Sequence, residues 1–376
     1  MKKRVVCVSF LLLLSIALCL PAGAQSDYST LPEEYVALES YLPSTLLQIL
    51  PDGLFSRDVT DAQAALSELT SFAGLLSLIL EMAQLHLKEN GALLASICAF
   101  LLLCGILQAL GNAQGVARAS IAPRICLFMA VAGAGYTAVS GMVAYFSSLK
   151  TLMSGMLPMM HVMYLLGGNV SRATVGNAML SAGLGVCESV CAGIAPPLFG
   201  ACMAMTLPGV LESGVDLSRL SAFLKKSYTT VLGVLTLILT LCLSAQNLLA
   251  SRADSLAMRS GRYAIGQMIP IVGGALAGTL DTLAAGVGVL RGVAGTCGVM
   301  LLLLGCLPIL ARMLILRTVF DLSASVAHTM GCAPESAVLG EASSLFGYMA
   351  AAVAMCTAVF IIAVGAFATC AAAWMT

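Results

Sequence analysis

Two carboxylates stand inside long apolar runs of this sequence: Glu188, within Thr174–Val210, and Asp281, within Gln267–Leu290. An ionisable group at membrane depth is expensive, and it marks a polar path or a partnered site by default. The plainer alternative is that each carboxylate sits near a helix end and reaches interfacial water. Little else could do chemistry. His86, His161 and His328 have no metal-ligand spacing, and no GxxxxGK[ST], HExxH or GxSxG run is present. Of fourteen cysteines, Cys7 and Cys19 precede Gln25; the others are scattered, nearly all through apolar runs, without a CxxC. They read as reduced, buried thiols that pack as small apolar side chains. No catalytic constellation, cofactor or metal is expected, so the chain reads as a non-enzyme.

The elements that position these residues follow from composition. The 376 residues are 60% hydrophobic and 10% charged, with a mean hydropathy of +0.99. A soluble domain carries about 25% charged residues. This chain cannot cover itself with polar surface, and an all-α, polytopic membrane helix bundle is the class that fits. Net charge is +0, but its distribution is uneven. Residues 25–91 hold two bases and ten acids, 2 − 10 = −8; beyond them stand 13 bases and 8 acids, 13 − 8 = +5. These regions face different surroundings.

Residues 1–24 have a basic start (Lys2, Lys3, Arg4), an apolar run Val5–Leu20 and an Ala22-Gly23-Ala24 cleavage site, which together form a secretory signal peptide. Residues 25–91 form an acidic extracytoplasmic segment. In it Thr60-x-x-Gln63 has capping-box form and starts a helix expected to run to about Glu89. Residues 92–376 form the multi-pass domain. Expected spans are Ala92–Leu110, Ile125–Phe146 and Thr151–Gly168, with Lys150 marking the turn between the last two. Thr174–Val210 is too long for one straight span and counts as one net crossing. Glu212–Tyr228 reads as an interfacial amphipathic helix and Thr229–Leu249 as a span. Arg252, Arg259 and Arg262 share one helical face, a basic cytoplasmic face suited to the lipid bilayer; three charges and one Tyr do not make a nucleic-acid site.

Gln267–Leu290 and Val293–Ala311 are each about 20 residues, the length needed to cross about 30 Å of hydrocarbon, and read as a hairpin turning at Arg291. Gly274-x-x-x-Gly278 and Gly288-x-x-x-Gly292 have the spacing that lets helices approach closely. A polar connection, Thr318–Glu341, stops at Gly331 and restarts at Pro334; Ser343–Ala373 is the last span, giving seven or eight membrane segments. Pro158, Pro270 and Pro308 are expected helix breaks. Met156–Met160 before Gly167-Gly168 weakly resembles Met268–Val272 before Gly273-Gly274. Broken helices at corresponding places point to a transporter-like site, so a stand-alone secondary transporter with its site near Asp281 is the second reading.

The order Arg262-Tyr263, Ile269-Pro270-Ile271-Val272-Gly273-Gly274, Asp281-Thr282, Gly292-Val293-Ala294-Gly295 and Leu307-Pro308-Ile309 resembles the stage III sporulation protein AE family. Tyr41-Leu42-Pro43 and Met156-Leu157-Pro158 also fit, and the resemblance covers essentially the whole mature chain. The chain departs from the family in its richness in Ala, Cys and Gly and in Gly274, where a bulkier residue could sit. The resemblance implies a multi-pass component of the mother-cell membrane around the forespore, within a secretion-like transenvelope channel. Its implied partners are the other proteins of the same operon and a forespore-side membrane protein. No catalytic residues come with it.

Overall fold

Helix follows helix through the described residues, with no strand element among them. The computed structural model describes residues 31, 33–41, 50–51, 53–70, 91–106, 121–211, 217–268, 273–368 and 370, with backbone alone for 68–70, 246–268 and 273–285. The expected signal peptide, Pro270 and Trp374 lie outside them. In chain order the helices are α1 (Glu33–Ala37), α2 (Val59–Thr70), α3 (Gly91–Ile106), α4 (Ile121–Leu166), α5 (Asn177–Glu188), α6 (Ile194–Ala204), α7 (Leu207–Val210), α8 (Ser218–Met268), α9 (Gly273–Thr329) and α10 (Ala333–Ala368). A 3-10 turn, Leu38–Tyr41, follows α1, and π turns at Arg172–Gly176 and Ser189–Gly193 flank α5.

Five of the described runs are long and apolar enough to cross a membrane: Ile121–Leu166, Arg172–Val210, Ser218–Ala245, Gly286–Thr329 and Ala333–Ala368. Three expected boundaries are replaced by continuous helix. Lys150 does not mark a turn, because α4 runs through it for 46 residues; no helix breaker stands nearby, and the ammonium finds a carboxylate without leaving the helix. Glu212–Tyr228 is not a separate interfacial helix, because α8 starts at Ser218 and continues for 51 residues. The hairpin at Arg291 does not exist, because α9 runs straight through for 57 residues. A charge forces a turn only if it needs water, and Arg291 is fully buried with protein partners instead.

Pro158 and Pro308 do not end their helices; α4 and α9 continue past them. A proline removes one backbone donor, and inside a bundle neighbouring polar groups can serve the freed backbone. Asn177 Nδ2 donates to the Leu157 carbonyl at 3.0 Å beside this point, although the carbonyl that Pro158 deprives of its helical donor is that of Ser154. Pro196-Pro197 fall in α6 directly after the π turn at Ser189–Gly193, and the helical backbone continues through them. The capping expectation shifts as well: α2 begins at Val59 after Asp58, and the Thr60 hydroxyl faces the Asp58 carboxylate at 3.4 Å rather than capping Gln63.

Gly331 (φ 80°) closes α9, and α10 begins at Ala333, as Gly331 and Pro334 foretold. The resulting antiparallel pair, α9 against α10, makes the most extensive helix–helix contact among the described elements. Its close approach falls at Gly295, where an added Cβ would lie 2.8 Å from the Ala368 Cα. Gly288 and Gly292, expected to be the contact, would meet nothing within 4 Å. α4 lies parallel to α10, as Tyr145–Thr357 (2.7 Å) and the Tyr164–Phe367 edge contact (5.2 Å) show. α1 packs onto this core: Tyr35 is fully buried, donates to the Leu54 carbonyl at 2.8 Å, and burial pushes its phenol above the ordinary range. The twelve cysteines after Cys19 are all free thiols, nine of them buried.

Candidate functional site

Helices of this length carry polar residues to three levels of one apolar bundle. The first level lies beside the α9–α10 turn. Arg124, in the first turn of α4, gives its Nε to Glu335 Oε1 at 2.9 Å, with 6% and 1% of the two side chains exposed. Glu335 sits in the first turn of α10, where a helix dipole favours a carboxylate. Two turns on, Glu341 accepts from Lys225 Nζ of α8 at 2.8 Å and from the Ser221 hydroxyl, and Lys225 also reaches Ser344 Oγ at 3.0 Å. These contacts tie α4 and α8 to the start of α10. Burial pushes the nearby Cys332 thiol up, Glu335 adds to that, and Arg124 opposes it.

The opposite level is built around Arg291. Its Nε and Nη2 donate to the Met163 carbonyl at 3.0 and 2.7 Å, and Nη1 donates to the Cys370 carbonyl at 3.2 Å. With its amide oxygen turned inward, Asn169 accepts from both Nη atoms at 3.2 Å. The Tyr164 ring lies 5.5 Å from the guanidinium, within cation–π reach. The Gly167-Gly168 step serves this cage: Gly168 (φ 73°) makes the turn after α4, and a Cβ on Gly167 would run into the Arg291 guanidinium. Arg172 meets the Cys370 thiol alongside.

Between the two levels stands Glu188, the one of the two suspected carboxylates whose side chain is described. It ends α5, and Lys150 of α4 meets its Oε2 at 2.7 Å. Along α4, Lys150 lies midway between Met163, at the Arg291 level, and Thr137, which faces Arg312 at 3.4 Å and stands a further 13 positions (137 − 124) from Arg124 at the first level. At 1.5 Å per residue that is about 20 Å each way. Unlike Arg124–Glu335 and Lys225–Glu341, this pair is open to the outside: 53% of the Lys150 side chain and 30% of Glu188 are exposed.

Asp281 lies in α9, and Arg252, Arg259 and Arg262 in α8, all outside the residues whose side chains are described. Arg124, Lys225, Arg291, Glu335 and Glu341 belong to the bundle, although local sequence assigns each to a loop, an interfacial helix or a connection. The signal present was a charge flanked by apolar residues, as in Ile121-Ala122-Pro123-Arg124-Ile125. Chemically these groups are paired charges and hydrogen-bonded cations that hold helices together. Among the described residues no group of three or more His, Cys, Asp or Glu is placed to hold a metal ion.

A family model described as stage III sporulation protein AE matches residues 59–371. A curated protein named "Stage III sporulation protein AE", from Bacillus subtilis (strain 168), is 20% identical over 279 residues, 73% of this chain and 69% of that protein. No solved structure matches.

Proposed function

Since the chain belongs to the stage III sporulation protein AE family, we propose that it acts in endospore development as a non-enzymatic, lipid-embedded component of a channel complex. In this reading it sits in the mother-cell membrane around the forespore. Its partners are other proteins of the same operon and a forespore-side membrane protein. The observation that carries the reading is the reach of the family match, from α2 through every one of the five apolar runs. Three buried polar sites support a platform rather than a catalyst: Arg124 pairs with Glu335, Lys225 with Glu341, and Arg291 donates to the Met163 carbonyl, each across helices.

The stand-alone transporter reading asked for helices broken at corresponding prolines. α4 is continuous through Pro158, which removes one of the two breaks it needs. The test is an affinity isolation of the tagged chain from membranes of sporulating cells, read by mass spectrometry. Co-isolation of other stage III sporulation proteins is expected. A chain that comes out alone, together with normal forespore maturation in a clean deletion strain, would overturn the proposal.

A further inference from the structure

The outer faces of α4 and α8 differ in kind. On α8 the exposed side chains are Val231, Val234, Leu237, Ile238 and Leu241, a surface suited to lipid. On α4 no large apolar side chain is exposed between Tyr136 and Leu165. That face carries Ser140, Ala144, Ser147, Thr151 and Ser154 at three- and four-residue spacing, all exposed, with the Lys150–Glu188 pair beside them. Ser140, Thr151 and Ser154 donate to carbonyls of their own helix at 2.8 to 3.1 Å, so these three hydroxyls are satisfied within the helix. The ion pair is not: among the described residues neither charged group has a side-chain partner beyond the other. An ammonium has three donors, hydrocarbon offers no acceptor, and charged groups in lipid take partners.

We propose that this face of α4, centred on Lys150 and Glu188, is where a second copy of the chain docks within the membrane. The inference needs only that the apolar helices lie in a bilayer, and it does not rest on the channel reading. Copies related by an axis along the membrane normal hold equivalent residues at one depth. Lys150 and Glu188 of one copy then stand level with those of the next. Because the patch carries one charge of each sign, it complements itself: each ammonium gains a second carboxylate and each carboxylate a second ammonium. The small residues Ser140, Ala144, Ser147, Thr151 and Ser154 let two helix backbones approach closely, the usual geometry of helix association in lipid.

The test uses full-length chains bearing two different tags, expressed together in membranes of a host without sporulation genes. S147C is expected to cross-link the two tagged copies under mild oxidation, whereas the unsubstituted chain and L237C, on the lipid-suited face of α8, are not. K150E alone doubles the negative charge of the patch and E188K alone doubles the positive; each is expected to lower the cross-link yield by about tenfold or more. Mixing K150E copies with E188K copies should restore it, which no loss of fold within a chain can do. Three results would overturn the proposal: no recovery on mixing, a cross-link within one chain or to another protein, or ready labelling of S147C by a charged, water-soluble thiol reagent without any cross-link. Self-association in this host without partners in sporulating cells would leave the inference standing and remove the channel reading.

Discussion

Arg124–Glu335 and Lys150–Glu188 are the same chemistry at nearly the same distance, 2.9 and 2.7 Å, in opposite surroundings. The first has 6% and 1% of its side chains exposed, the second 53% and 30%. A buried pair is a commitment: desolvating both charges is expensive, and the attraction repays it only while both partners remain. A pair open on its outer side keeps free donors and acceptors there, and within hydrocarbon only another polar segment can meet them. One pair therefore holds helices of a single chain together, and the other is left to meet something outside it.

The comparison breaks most visibly at the buried pair. Arg124→Met leaves Glu335 buried without its cation, with an expected loss of about 3–5 kcal/mol, seen as early thermal unfolding of the detergent-solubilised chain. Replacing both residues by apolar ones of similar volume should recover most of that loss; if the double variant is as unstable as the single, the pair is not what ties α4 to α10. A smaller effect is expected at the other end. Gly167→Ala puts a methyl group where the Arg291 guanidinium lies and should cost about 1–3 kcal/mol, the usual range for overpacking. In that variant protease accessibility should rise near the α4–α5 turn before it rises elsewhere. Smallest of all, Lys150→Met should destabilise the solubilised monomer less than Arg124→Met does, because its pair is the less enclosed of the two, while still lowering association in membranes. Equal destabilisation by Arg124→Met and Lys150→Met would erase the distinction between the two pairs.

Much of this was legible in the amino-acid sequence. All-helical class, long apolar runs, the stop at Gly331 and restart at Pro334, free thiols and the family itself were readable from residue types and order. The misreadings share a cause. Read locally, Lys150, Lys225 and Arg291 mark water, hence turns and interfaces, because a lone charge in an apolar run is costly. Glu188, the Glu341–Ser221–Ser344 group, and the Met163 and Cys370 carbonyls remove that cost. These partners are remote in the chain, and Met163 and Arg291 are separated by 128 positions.

Local composition by itself determined that these segments are helices and that they are apolar enough for a membrane, because hydropathy and backbone propensity are properties of neighbouring residues. Only the tertiary structure decided where helices end and which charges are inside. A charged side chain stays in a helix core when a distant segment brings it a partner, and the local sequence holds no record of that partner.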